Sequence, residues 1–385
     1  MRPFHRVSIL SSVLFIGFSS FAVGCSGETP TNDIESTSDD LRGPGKAATD
    51  TRVPELGGDL AVLRQSKVWM DEAVEDADRS TGPIIEAKFE LGDSGKLSLS
   101  LYPAGKPLNV DAERNVFQEL SGDPTAWPFA GSLEAFKDQE HLTRSARDLT
   151  LVQLSRVSLL EAVESSSCEG FVYWAIPTIR HGRAGYGVYT TANGTRQKYH
   201  FIDGQGSRAR TSSHPIELGT DPGALATDER VPELGSDLAI VKTAKVTMAQ
   251  ALASLEKAHG PAIEAKYELD DNGKLSLSIY PVKDISLDAE RSSFGELAGD
   301  PTGKTFAPSF EEFKVPDVEH LTRSARDITL VQTASLTLRQ AIDAAQSAMP
   351  SGFVYWAIPT IRDTRAGYGV YVYGKDGKAH YFFVS

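Results

Sequence analysis

Apolar and polar residues alternate through Ile263-Glu-Ala-Lys-Tyr-Glu-Leu269, break at Asp270-Asp-Asn-Gly273, and alternate again through Lys274-Leu-Ser-Leu-Ser-Ile-Tyr280. Alternation puts successive side chains on opposite faces of a strand, and an Asn-Gly turn between two such runs predicts a β-hairpin. Just upstream the period lengthens. Met248, Leu252 and Leu255 recur at helical spacing behind Thr247, whose hydroxyl stands three residues before Gln250. That is a capping box: the hydroxyl accepts from the N3 amide while the Glu or Gln reaches back. The pattern occurs four times, at Val68-Trp-Met-Asp-Glu-Ala-Val74, Val157-Ser-Leu-Leu-Glu-Ala-Val163, Val246-Thr-Met-Ala-Gln-Ala-Leu252 and Leu336-Thr-Leu-Arg-Gln-Ala-Ile342. In the first, Trp69 stands where the hydroxyl belongs, so that helix must begin differently. Short apolar runs precede the helices at residues 60–63, 149–152, 238–241 and 328–331, each behind an Asp, and read as strands. Aromatic runs at 353–361, 368–373 and 378–384 predict further strands, the last two joined across Gly374-Lys-Asp-Gly377. One unit is then strand, helix, and an antiparallel hairpin or three-stranded meander, with the helix across one sheet face.

The four patterns start at residues 68, 157, 246 and 336, an even spacing. A stronger identity overlies it. Arg52-Val-Pro-Glu-Leu-Gly57 recurs at 230–235, Glu140-His-Leu-Thr-Arg-Ser-Ala-Arg-Asp148 at 319–327, and Gly170-Phe-Val-Tyr-Trp-Ala-Ile-Pro-Thr-Ile-Arg180 at 352–362. Arg183-Ala-Gly-Tyr-Gly-Val-Tyr189 recurs at 365–371. A fixed internal repeat decides the architecture. The expected fold class is α+β, with four tandem units in two duplicated halves. Half one runs 51–205 with units at about 58–130 and 147–205, a linker follows at 206–227, and half two runs 228–385 with units at about 236–306 and 326–385.

The first 24 residues have the form of a signal peptide. Arg2, His5 and Arg6 make a basic start, residues 7–23 carry no charge, and the run ends on Ala22-Val23-Gly24 before Cys25. Small residues after an apolar stretch mark cleavage. The segment resembles a lipobox, with Ala22 in place of the usual Leu, which implies lipidation of Cys25. One acyl chain holds a protein to a membrane only marginally, whereas several hold it firmly. Ser26, a residue other than Asp after the Cys, resembles the outer-membrane sorting pattern of a Gram-negative host. Residues 25–50 are mostly Ser, Thr, Gly, Pro, Asp and Glu, the composition of a flexible tether. The expected location is therefore the cell envelope, lipid-anchored.

Charge narrows the partners. The net charge is −13, and loss of residues 1–24 removes two Arg and no acid. So acidic a chain is unsuited to nucleic acid or anionic lipid surfaces. Two Cys are present, and with Cys25 lipidated Cys168 has no partner, so disulfides are not expected. No His-Glu-x-x-His, Cys pair or His cluster at metal spacing occurs, nor Gly-x-Ser-x-Gly, nor a phosphate-cradling glycine loop. No metal, cofactor or catalytic residue is expected.

A capped helix followed by a hairpin, with Val110-Asp-Ala-Glu-Arg114 and Leu287-Asp-Ala-Glu-Arg291 beyond the hairpins, resembles the PepSY domain. The resemblance covers all four units and is clearest in the third. A stretch at about 295–320 departs from it as an insertion. It implies a non-enzymatic protein that binds a protein or peptide partner, such as an exported peptidase or cell-wall hydrolase to be inhibited or scaffolded. It supplies no active site. A small-ligand sensor and a hydrolase of unrecognised type remain alternatives.

Two clusters stand out as candidate binding residues. His141, Arg144 and Arg147, with His320, Arg323 and Arg326 in the copy, would share one side of a helix and could grip a carboxylate. The competing reading is architectural: capping and ion pairs that pin the connection between units. The second cluster is aromatic, Trp174, Arg180 and Tyr186, repeated as Trp356, Arg362 and Tyr368. It would flank a groove, against a competing role in core or interface packing.

Overall fold

Three helices begin at the predicted caps. In the computed structural model, which describes residues 60–92, 94–105, 115–192, 196–206, 234, 238–282, 292–313 and 318–385, α3 (Leu159–Ser167), α4 (Met248–His259) and α6 (Leu338–Ala348) follow Ser158, Thr247 and Thr337. Ser158 Oγ accepts from Glu161 N at 3.2 Å while Glu161 Oε2 accepts from Ser158 N at 2.8 Å. The first helix, α1 (Met70–Thr81), starts after Trp69 with half of that box. An indole has no acceptor, so only Glu72 reaches back, at 3.4 Å. Residues 1–59, 207–233 and both Asp-Ala-Glu segments lie outside the described residues, and with them the signal peptide, the tether and all of the linker but residue 206.

The hairpin read at 263–280 forms, and the first half repeats it. β1 (Ile84–Leu91) pairs with β2 (Leu97–Pro103), and β8 (Ala262–Leu269) with β9 (Leu275–Pro281). Gly273 closes the second turn at φ 71°, a conformation that glycine takes without strain. The stretch at about 295–320 read as an insertion extends the second sheet as β10 (Gly295–Gly299) and β11 (Ser309–Glu312), and the matching stretch of the first half forms β3 (Gln118–Gly122) and β4 (Gly131–Ala135). The aromatic runs form β5 (Phe171–Arg180), β6 (Arg183–Ala192), β7 (Arg196–Asp203), β12 (Phe353–Arg362), β13 (Arg365–Tyr373) and β14 (Ala379–Val384). Ala87 pairs with Ala175, and Ala265 with Ala357, so the strands of each half join into one antiparallel seven-stranded sheet. The orders are β4-β3-β2-β1-β5-β6-β7 and β11-β10-β9-β8-β12-β13-β14.

The four apolar runs read as strands are helical, and that expectation is corrected. Residues 60–63 and 238–241 lie in 3-10 helices, Leu60–Gln65 and Leu238–Thr243. Residues 149–152 and 328–331 lie in the long helices α2 (Gln139–Leu154) and α5 (Val318–Thr333). A four-residue apolar run carries no period of its own and cannot be told from a buried helical segment. Each half thus has three α-helices among its described residues, not one per unit.

Strand alternation assigns the faces. Ala87, Phe89, Leu99, Leu101 and Ala175 form one core with Met70, Val74, Leu159 and Val163, beneath α1 and α3. Glu86, Lys88, Tyr102 and Trp174 point the other way, and α2 lies on that side, where Ala146 and Leu149 pack with Ile85 and Tyr102. α5 packs in the same way on the second sheet and against α2. Leu149, Leu151, Ala325, Ile328 and Leu330 are buried in clusters that draw on both halves. The halves therefore share a helical centre and belong to one compact unit.

Candidate functional site

The second face of each sheet carries charges at alternate positions. Glu86-Ala-Lys-Phe-Glu90 puts Glu86, Lys88 and Glu90 in line, opposite Ser100 and Tyr102 of β2. Lys88 Nζ bonds Glu90 Oε2 at 2.6 Å and lies 5.5 Å from the Tyr102 ring centre. Ser100 Oγ donates to Glu90 Oε1 at 2.6 Å, and Tyr102 Oη donates to Glu119 Oε1 at 3.4 Å. Glu86 is 2% exposed; its carboxylate accepts from Trp174 Nε1 at 2.9 Å and faces Arg144 Nε at 3.9 Å. The second sheet repeats this with Glu264, Lys266, Glu268, Ser278, Tyr280, Glu296 and Trp356. Burial pulls the Lys88 ammonium toward neutrality, but Glu86 and Glu90 outweigh it and raise its pKa; Lys266 behaves alike. A lysine held protonated among carboxylates is neither a nucleophile nor a base. Burial and the same carboxylates also raise the Tyr102 and Tyr280 phenols. The ladder is a packed structural network. Its signal is Glu-x-Lys-x-Glu facing Ser-x-Tyr across a turn, a charge pattern that alternation by itself does not disclose.

The proposed carboxylate grip does not assemble as a surface. Arg147 and Arg326 are 0% exposed. Each pairs with the following Asp, 148 or 327, and Arg147 Nη2 also donates to Pro177 O at 3.3 Å, fastening α2 to β5. Arg144 is largely buried beside Glu86. His141 shares the helix but faces outward, with Nδ1 2.7 Å from Asp138 Oδ1 and its ring stacked on Phe136 at 4.7 Å. His320 stacks on Phe313 at 4.8 Å, and Arg323 lies half-buried on α5. The three side chains of each triplet thus have separate surroundings.

The aromatic candidates are likewise divided between faces. Trp174 pairs across β5 and β6 with Tyr189 and stacks on it at 4.7 Å. Tyr186 lies three residues away on the opposite face, fully buried in the core with α3. Arg180 sits at the strand end, 5.9 Å from the rings of Tyr199 and Phe201. Trp356, Tyr368 and Arg362 repeat this placement, with Arg362 5.9 Å from Phe383. Residues so divided do not line a common groove.

An accessible surface lies at the free edge of the first sheet. β4 ends the strand order, and all five of its residues are exposed. Among the described residues, the exposed large apolar side chains are Trp69, Val116, Trp127, Leu133 and Phe310. Leu133 lies in β4, Trp127 in the β3–β4 connection, and Val116 just ahead of β3. Trp69 heads α1, and the neighbouring Lys67 N donates to Pro124 O of that connection at 2.9 Å, bringing the start of α1 to the hairpin. The aligned residues of the second half are Thr247, Ser293 and Lys304, with only Phe310 matching Leu133 in character. These exposed residues have no signature in the sequence, because single exposed apolar residues have no period.

No family model and no curated protein matches this chain. Among the described residues, no group of three or more His, Cys, Asp or Glu side chains is placed to hold a metal, and no helix is long and apolar enough to cross a membrane.

Proposed function

We propose that this is a non-enzymatic, lipid-anchored envelope protein that binds an exported protein or peptide, and that the β3–β4 edge of the first half is its docking surface. The observation that carries the reading is the fully exposed edge strand β4, which carries the exposed Leu133 and follows a connection that carries the exposed Trp127 and meets the start of α1. An edge strand offers unused backbone donors and acceptors to an incoming strand, and proteins ordinarily blunt such edges with charge. Exposed aromatic residues beside it supply the apolar anchors on which protein interfaces concentrate their affinity. In this reading each half is a pair of PepSY-like units merged into one sheet, Cys25 carries the lipid, and the partner is an exported peptidase or cell-wall hydrolase held in check or in place. Anchorage in an outer membrane, if the host has one, follows from Ser26.

Capture from envelope extract tests this, using the full chain beside a Trp127→Lys/Leu133→Lys variant. The expected result is one stoichiometric partner lost from the variant at unchanged Tm. Equal retention by both proteins would move the site elsewhere. Failure to capture any protein would favour the small-ligand reading.

A further inference from the structure

Both sheets end in an open edge. β4 closes the strand order of the first sheet and β11 that of the second, and every residue of both strands is exposed. At the opposite ends, β7 and β14 are half-buried or buried over most of their length. Each open edge carries a like-charge pair at the same register position. Glu119 of β3 faces Glu134 of β4, and Glu296 of β10 faces Glu311 of β11. Like charges directly opposite one another destabilise a sheet. The inner member of each pair has a neighbour to accept from, Tyr102 Oη for Glu119 and Tyr280 Oη for Glu296. Among the described residues no base is paired with the outer member, Glu134 or Glu311. This face is the one that carries the buried ladder. There a lysine answers the carboxylates, with Lys88 bonded to Glu90 and Lys266 to Glu268, each at 2.6 Å. At the edge the row ends on carboxylates, with no strand beyond to supply a cation.

The other face of each edge strand is apolar at its centre. Leu133 pairs with Leu120 and Phe310 with Leu297, and the outer residues are 47% and 53% exposed. An added strand that covers both faces therefore needs a basic residue opposite the Glu and an apolar residue opposite its neighbour. The two requirements fall on adjacent residues, because a strand alternates its faces. The halves agree on the charged face and differ on the other. Ser132 and Glu134 match Ser309 and Glu311, whereas Leu133 and Ala135 correspond to Phe310 and Glu312. One charge on an edge strand is enough to blunt pairing with a copy of itself. The second Glu behind it adds a repulsion that a cation on an added strand relieves.

We propose that β4 and β11 each add an extended segment of alternating basic and apolar residues as a further antiparallel strand. A Lys or Arg of that segment faces Glu134 or Glu311, and its apolar neighbour faces Leu133 or Phe310. The inference rests on the docking reading above and adds to it the chemistry of the partner and a second site. Backbone hydrogen bonds supply the attachment, and the alternate side chains supply the selection.

The test is fluorescence anisotropy of the full chain with three labelled peptides: alternating Lys-Val-Lys-Val-Lys, the same peptide with Gln for Lys, and the scrambled Lys-Lys-Lys-Val-Val. The expected result is saturable binding of the alternating basic peptide, two per chain, about tenfold or more tighter than either control. Glu134→Lys should leave one site. Glu134→Lys/Glu311→Lys should leave none and should bind alternating Glu-Val-Glu-Val-Glu instead. The double variant removes both like-charge pairs, so it should melt no lower than the parent. Should it fail to fold, Glu134→Gln/Glu311→Gln should lose the preference for the basic peptide over the Gln peptide. Equal binding of the scrambled peptide would overturn the proposal as general attraction to an acidic chain. Equal binding of the Gln peptide would overturn it while leaving the docking reading in place. Binding of none of the peptides would overturn it too, and capture with the Trp127→Lys/Leu133→Lys variant then decides the docking reading by itself. A parent that sediments as a dimer, beside a monomeric double variant, would make a second copy the occupant and overturn it likewise.

Discussion

Trp174 Nε1 donates to Glu86 Oε1 at 2.9 Å, and the bond crosses the seam where β1 and β5 join into one sheet. Trp356 and Glu264 repeat it at 2.8 Å. Glu86 is buried, and this bond satisfies one of its carboxylate oxygens. Trp174→Phe removes the donor while keeping an aromatic ring, so it should destabilise by about 1–3 kcal/mol. Glu86→Gln keeps an acceptor and should cost less. Urea unfolding of both variants checks the order, and the reverse order would show that the indole donor matters less than the carboxylate's charge.

Arg147 makes a sharper case. Its guanidinium is fully buried beside Asp148, and removing one member of such a pair strands the other. Arg147→Met should cost about 3–5 kcal/mol, and Arg147→Met with Asp148→Leu should recover much of it. Arg144→Met, nearer the surface, should cost less. Chemical denaturation measures all three. Wild-type stability in Arg147→Met would make the residue a ligand-binding candidate again.

His200 supplies a pH signature confined to the first half. It is buried on β7 with Nε2 3.1 Å from Thr190 Oγ1, and burial pushes its pKa below the ordinary 6.5. The unfolded chain therefore binds the proton more readily. Stability is full above pH 6.5, falls as pH drops from 6.5 through the folded value, and levels off below it. Phe382 occupies the same register position in the second half. His200→Phe should remove this component, so Tm should fall less than in the parent between about pH 7.5 and 5. Parallel profiles would refute the assignment.

The fragment 228–385 should fold but not remain a monomer. Alone it would expose Leu321, Ala325, Ile328 and Leu330 of α5, which are buried with residues of the first half. The segment Glu319–Asp327 matches Glu140–Asp148, so a second fragment presents nearly the surface that is missing. Such a self-complementary contact closes as a two-fold dimer. Sedimentation should show the dimer, and Tm should rise with concentration. A concentration-independent monomer as stable as the full chain would show that the central helices contribute little.

The legible elements are those with local causes. Capping boxes at Ser158, Thr247 and Thr337 and the turn at Gly273 are set by residues within a few positions of one another. The β1–β5 seam depends on strands far apart in sequence, which no local pattern encodes. The runs at 149–152 and 328–331 mimic strands because burial on several sides removes the periodicity on which assignment rests. A related default governs the site. Arg147 reads as an external grip because arginine is seldom fully buried, although the following Asp148 already offers its partner.

The α2–α5 contact carries an evolutionary consequence. In an oligomer of identical subunits, every mutation at a two-fold contact strikes both sides at once. Here the two sides are encoded separately, so each can drift without dragging the other along. Trp127 answers to Lys304, His200 to Phe382, and Gly182 to Thr364. The two central helices keep one shared sequence, at 140–148 and 319–327, while these outlying positions differ between the halves.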